Sequence, residues 1–163
     1  MDSMIRPARI ADLPELVRLE ESCFVSDRLT RRSFRHLLRY GHGAMLVAAG
    51  TRGLTAYAGL LYRKGSATAR LYSLAVDPVL RGRGIGRGLL RAAERTARRD
   101  GHTAISLEVR IDNRPALLLY ESAGYEPGGH HAGYYADGAD AQRLRKHLKP
   151  QRRALPRQHA RAA

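Results

Sequence analysis

The sequence predicts a single mixed α/β domain, an α+β arrangement whose sheet is mostly antiparallel. Three observations carry that expectation. A chain of 163 residues suits one core rather than two. Three strand-like runs, AMLVAA (44–49), LTAYAGLLY (54–62) and TARLYSLAV (68–76), follow one another across the short turns GTRG and RKGSA, the pattern of an antiparallel meander. A glycine-rich turn, a helix and the strand TAISLEV (103–109) come next, and a strand–helix–strand unit requires a parallel neighbour with a right-handed crossover.

Taken in order, Ile5 to Arg9 reads as a first strand, and ADLPELVRLEESCF spaces Leu13, Leu16, Val17, Leu19, Glu20 and Cys23 at helical intervals, with Asp12 placed to cap the first turn. A second helix is expected from Thr30 to Tyr40, marked by Phe34, Leu37 and Leu38 and closed by Gly41 and Gly43. Beyond the glycine turn, Leu89, Leu90, Ala93 and Ala97 mark a helix to Arg99, stopped at Asp100-Gly101. DNRPALLLYESAG (112–124) is a helix opened by Asp112 or Asn113, with Pro115 in its first turn and Gly124 as its stop. After Tyr125, GGHHAGYYADGAD reads as a long loop, and in AQRLRKHL the inward positions Leu144 and Leu148 fit either a strand or a helix.

The net charge of +14 asks for an anionic partner, but eight basic residues and no acidic ones follow Asp140; removing them leaves about +6 for residues 1–140. PQRRALPRQHARAA (150–163) therefore reads as a basic, solvated tail beyond a domain spanning residues 1–149. Such a tail suits a ribosome or another acidic partner, and plain solubility explains it equally well. No apolar run is long enough for a membrane span, and Asp2, Arg6, Arg9 and Asp12 interrupt the start where a signal peptide would be apolar, so the expected address is cytoplasmic. Cys23 is the one cysteine and reads as a small buried hydrophobe. His130-His131 lacks a third ligand at useful spacing, so no metal site is expected.

Gly82, Gly84, Gly86 and Gly88 alternate where the strand 68–76 gives way to a helix, although each glycine inside a helix costs about 1 kcal/mol against alanine. Bare backbones allow positive φ and close approach to successive N–H groups, and the next helix adds unpaired donors and a positive dipole end. With Arg81, Arg83 and Arg87 alongside, the favoured guest is a phosphate or pyrophosphate. Position 87 is arginine where the dinucleotide fingerprint needs glycine, and the mononucleotide loop's G-K-S/T is absent.

Arg81-Gly82-Arg83-Gly84-Ile85-Gly86, following Leu74-Ala75-Val76-Asp77-Pro78, resembles the Q/R-x-x-G-x-G/A acyl-CoA pyrophosphate loop of the GNAT N-acetyltransferase superfamily. SLEVRIDNRPALLLYESAGY (106–125) resembles a second block of the RimI type, enzymes that acetylate protein N-termini. The resemblance covers roughly residues 4–148 and is specific over 70–125. It implies a sheet of about six to seven strands flanked by about four helices, with the central parallel strands splayed apart. It also implies acetyl-CoA as donor, held by the backbones of Leu74, Ala75 and Val76, by the loop Gly82 to Arg87 with Arg81 beside it, and by Asn113 from the opposite side. Glu108 would be the base, acting through a water molecule, and Tyr120 the acid that protonates the departing thiolate; Tyr134 and Tyr135 would clamp the acceptor or pin their own loop.

The acceptor implied is the α-amino group of a protein, ribosomal proteins included, with lysine side chains or small amines as the alternative. The charged AQRLRKHL and the basic tail depart from the RimI pattern. On residue chemistry alone Glu108 could instead pair with an arginine such as Arg110, and Tyr120 could be a packed core aromatic. Cys23 lies outside the matched blocks, which favours direct attack over a covalent acyl-enzyme. A third reading, an RNA- or ribosome-binding module, lacks stacking platforms: the chain has no Trp and two Phe, with Tyr62 and Tyr72 the nearest candidates.

Overall fold

A computed structural model describes residues 3–150. Its elements are β1 (Met4–Pro7), α1 (Leu13–Cys23), α2 (Arg31–Tyr40), β2 (Gly43–Gly50), β3 (Gly53–Leu61), β4 (Thr68–Val76), α3 (Ile85–Arg99), β5 (Ala104–Arg110), α4 (Arg114–Ser122), β6 (Glu126–His131) and β7 (Ala141–His147). The seven strands form one sheet in the order β1-β2-β3-β4-β5-β7-β6. Every neighbouring pair is antiparallel except β4 and β5. The expected mixed sheet with four helices is therefore present. No helix among the described residues is long and apolar enough to cross a membrane. From residue 151 onward the expected basic tail lies outside the described residues.

Alternation along the strands sends side chains into two cores. Leu46 and Ala48 of β2 pack with Leu89, Leu90, Ala93 and Ala97 of α3 and with Ile105 and Leu107 of β5. Between them, Val47 faces the other way and joins Leu16 and Leu19 of α1, Phe34 of α2 and Tyr57 of β3. Leu144 and Leu148 are buried on the α3 side, Leu144 within the strand β7 and Leu148 just past its end.

Four local expectations are corrected. The first strand ends at Pro7, and a turn of 3-10 helix follows over Ile10–Asp12. Asp12 stands at the α1 N-cap without capping it: its carboxylate takes two hydrogen bonds from Arg6, at 2.8 and 2.9 Å, and one from the Arg9 N–H at 2.7 Å. Gly41 ends α2 with an ordinary negative φ and Gly43 already belongs to β2, so the stop is set by the turn into the sheet. Finally, the run after Tyr125 contains β6, an outer strand exposed along its whole length that exists because it pairs with β7. Both outermost strands carry a proline, Pro7 in β1 and Pro127 in β6.

The feature that creates the site is an irregularity in the β3–β4 pair. Leu60 pairs with Leu71 and Gly59 with Ser73, leaving Tyr72 as an extra residue in β4. Gly59 makes room for it, since a Cβ there would lie 2.2 Å from the Tyr72 ring. A bulge bends its strand and increases its twist. At the same place β4 leaves β5: the parallel pairing comprises Thr68 with Ala104, Ala69 with Ile105 and Arg70 with Ser106.

On the α1 side of the sheet, the buried Tyr57 hydroxyl is bonded to Glu20 and lies 2.7 Å from the Ser73 hydroxyl. Glu20 also accepts the Leu29 N–H at 3.0 Å, so it fastens α1 to the segment before α2. Burial pushes the Glu20 carboxyl up, opposed by its bonds to Tyr57 and Leu29. A raised folded-state pKa favours folding at low pH, and that contribution is lost as pH rises through the folded value. Tyr57→Phe, which strips one partner from a buried carboxyl, should cost about 1–3 kcal/mol in urea denaturation at pH 7 and less as pH falls and Glu20 becomes protonated in both states.

Candidate active site

Past Arg70 and Ser106 the facing edges of β4 and β5 are unpaired, and the glycine turn sits beyond the end of β4. The turn begins at Asp77, whose carboxylate accepts the Val79 N–H at 3.1 Å and lies 3.6 Å from the Arg18 guanidinium. Gly82 and Gly84 have φ of 79° and 81°, and a Cβ on either would meet nothing within 4 Å. These two glycines are thus required by backbone conformation, in a bend whose surface is open. Gly84 is the N-cap of α3 and accepts the Gly88 N–H at 3.0 Å, leaving the first-turn N–H groups of the helix without intrahelical partners. Arg83 is exposed beside them, while Arg87 reaches Ser122 at 2.6 Å and Arg81 donates to the Val76 carbonyl at 3.2 Å.

The Val76 carbonyl also accepts the Cys23 thiol at 3.3 Å. Burial pushes that thiol up, with the Arg81 guanidinium opposing, so Cys23 is a half-buried S–H donor. The Asp77 N–H binds the Thr55 carbonyl of the segment opposite. By ladder alternation Ala75 therefore directs its backbone toward β3, and Leu74 and Val76 direct theirs into the gap. Of the three residues, Leu74 and, through its N–H, Val76 have main-chain groups available to a ligand there, the Val76 carbonyl being taken by Cys23 and Arg81.

At the mouth of the gap stands Glu108 of β5, with a side chain 9% exposed. Arg70 of β4 donates to it at 3.1 Å, and Arg143 of β7 lies 3.4 Å from its other oxygen. Arg70 also reaches the Tyr134 hydroxyl at 2.5 Å. Arg110 is not a partner of Glu108: it pairs with Asp112 at 3.2 Å and Asp137 at 2.7 Å, and its guanidinium lies 5.0 Å from the Tyr135 ring centre.

Tyr120 comes from α4, where Asn113 is the N-cap and accepts the Ala116 N–H at 3.3 Å. The Tyr120 ring is buried against Tyr125, centroids 5.6 Å apart. Among the described residues its hydroxyl has no hydrogen-bond partner, and burial raises its pKa, so it holds its proton at neutral pH. Tyr134 and Tyr135 stack edge to face at 5.0 Å. Burial, then Tyr134, pushes the Tyr135 phenol up to about 12, and the charges of Glu108 and Asp27 also bear on it.

Over residues 13–125 the sequence matches the acetyltransferase (GNAT) family. The chain belongs to that family. The N-alpha-acetyltransferase RimI of Mycobacterium tuberculosis (strain ATCC 25618 / H37Rv) is 36% identical over 140 residues, covering 83% of this chain and 87% of the relative. An N-alpha-acetyltransferase of Saccharolobus solfataricus is 29% identical over 162 residues, covering 90% and 94%. The crystal structure of the ribosomal-protein-S18-alanine N-acetyltransferase from Escherichia coli has the same fold, with a TM-score of 0.81 at 24% identity over 94% of this chain and 98% of that one.

As an acetyltransferase the protein takes its acetyl group from acetyl-CoA, and the features around the gap fit that donor: open backbone at Gly82 and Gly84, free first-turn donors in α3, and an unpaired β4 edge. The structure links Glu108 to Tyr134 through Arg70 and stacks Tyr134 on Tyr135, while Tyr120 packs against Tyr125. It sets Arg87 and Arg81 on protein partners, and uses the Asn113 carbonyl oxygen for capping. Reading the chain alone missed Arg70 and Arg143, because their nearness to Glu108 follows from strand order and register.

It also missed Asp27. Among the described residues Asp27 is the one non-glycine with positive φ, 55°, and its carboxylate accepts the Ala136 N–H at 3.3 Å, tying the α1–α2 segment to the β6–β7 loop. Asp27→Ala should speed hydrogen exchange at the Ala136 amide while leaving the β7 amides unchanged, as read by mass spectrometry or NMR.

Proposed function

We propose that this acetyltransferase acetylates the α-amino group of a protein N-terminus, with Glu108 as base and Tyr120 as acid. The observation that supports the reading is the setting of Glu108, 9% exposed where β4 parts from β5 and linked through Arg70 to Tyr134, whose neighbour Tyr135 bears on the buried Tyr120 phenol of α4. The names of the Mycobacterium and Saccharolobus relatives, both N-alpha-acetyltransferases, support the choice of acceptor. Acetyl-CoA supplies the acetyl group as a thioester. The main chain of Leu74 and Val76, the bend from Gly82 to Arg87 and the Asn113 side-chain amide would hold it, with Ala75 contributing packing at 2% exposure.

An α-amine has a reference pKa near 8 and reacts only when neutral, so at pH 7 a proton must leave it. Glu108 accepts that proton through a water molecule, and Arg70 and Arg143 fix its carboxylate toward the cleft. The two guanidiniums also disfavour a positive charge beside them, which helps the acceptor lose its proton. Tyr120 keeps its phenolic proton because it is buried, and delivers it to the leaving sulfur. Cys23 stays protonated against Val76, consistent with direct attack by the amine.

Glu108→Gln should lower kcat/KM by about 10²-fold at pH 7, with the deficit shrinking above about pH 8 as the amine deprotonates unaided. An unchanged pH profile removes Glu108 from the role of base. Tyr120→Phe should reduce kcat by about 10-fold or more with little change in the KM for acetyl-CoA, measured with a peptide whose N-terminus is its single amine. Labelling confined to lysine side chains in that assay's lysine-containing counterpart would overturn the choice of acceptor.

A further inference from the structure

The wall around Glu108 carries more positive charge than proton removal requires. Arg70 and Arg143 both contact the one carboxylate, and Arg145, two residues along β7 on the same face, reaches Thr68 at 3.4 Å. Their exposures differ in a telling way: Glu108 is 9% exposed, whereas Arg70 and Arg143 are 44% and 49% exposed. An approaching ligand meets the guanidiniums before the carboxylate. Each guanidinium has five N–H donors. Arg70 uses donors on Glu108 and Tyr134, and Arg143 approaches Glu108 through one nitrogen.

The nearby carboxylates are engaged elsewhere. Asp112 and Asp137 hold Arg110, Asp140 holds His130 and the Gly133 N–H, and Asp27 holds Ala136. Glu126 stands opposite Arg145 in register, and no ion pair joins them. Among the described residues, then, two half-exposed arginines flank one covered acid, with Arg145 and Glu126 further along the same face. Neither Arg70 nor Arg143 is needed to fill a core, since both heads are half in solvent.

We propose that Arg70 and Arg143 form a carboxylate-binding subsite for the acceptor, so that the preferred substrates are N-termini with Asp or Glu at the second or third residue. This rests on the reading that Glu108 takes its proton from an N-terminal amine. The reach is right: one extended residue spans about 3.3–3.6 Å, so a side chain one or two residues past the amine falls beside the arginines that flank Glu108. Planar guanidiniums suit paired recognition of a carboxylate, and the same charges repel lysine or arginine at those positions. A charge-assisted hydrogen bond of this kind corresponds to about 10-fold to 10²-fold in kcat/KM.

The test is a comparison of three peptide series with the full chain and acetyl-CoA. All begin with alanine, and positions two and three are Asp-Glu, Gln-Gln or Lys-Lys, followed by a common lysine-free sequence. The acidic series should exceed the neutral one by about 10-fold or more in kcat/KM, chiefly through KM, and the basic series should fall below it. The advantage should shrink in about 1 M salt. Within each variant the acidic-to-neutral ratio removes any general loss of activity: Arg143→Gln and Arg70→Gln should each bring it toward one, and Arg143→Lys should retain part of it. Equal rates for the three series, or a ratio unmoved in both glutamine variants, overturn this inference while leaving N-terminal acetylation standing. No acetylation of any peptide N-terminus overturns the acceptor reading, and the subsite with it.

Discussion

One extra residue in β4 decides where ligands can enter. Tyr72 is bulged against Gly59, and β4 parts from β5 after Arg70. In a continuous ladder every N–H and C=O of the central strands would be spent on a neighbour. The parting releases a stretch of main chain that an amide-bearing arm can pair with, as a strand pairs with a sheet edge. The glycine bend completes the arrangement, because a helix that starts just beyond the released strand presents its positive end to whatever lies along it.

Charge at this opening is handled by pairing across strands that are distant in sequence. Glu108 is covered because β4 and β7 flank β5 and each brings an arginine to the same face. Arg70 then links that carboxylate to Tyr134, so the floor of the cleft and the loop above it share one guanidinium. On the other wall Asp27 joins the α1–α2 segment to the same loop. The proton-holding group is treated differently: Tyr120 is kept neutral chiefly by burial, with Tyr135 adding to the shift and no hydrogen-bond partner among the described residues. The two candidate groups are thus set apart by their surroundings.

Legibility followed the strength of local pattern. β4 is read to the residue because TARLYSLAV alternates between two clear turns, and α2 to within one residue because Thr30 accepts the Ser33 N–H as a cap should. EPGGHH, by contrast, has no alternation and no apolar side chain besides Pro127, so nothing local marks it as β6; its strand character is supplied by β7. Asp12 satisfied the rule for a cap, but a bidentate arginine six residues back outcompeted the helix for it. In the candidate site, Glu108 and Tyr120 are singled out by short blocks of neighbouring residues. Arg70 and Arg143 lie 38 and 35 positions from Glu108, and only strand order brings them to it.

The prolines on the two outermost strands bear on how the protein behaves when crowded. An open sheet edge is a template on which a second chain can add, and repeated addition leads to aggregates. Pro7 and Pro127 each lack the hydrogen such a newcomer would need, and β6 is further broken by the register shift between Pro127 and Gly129. Both rims of the sheet are thereby blunted, so the interior opening between β4 and β5 is the place where the sheet offers its backbone to a visitor.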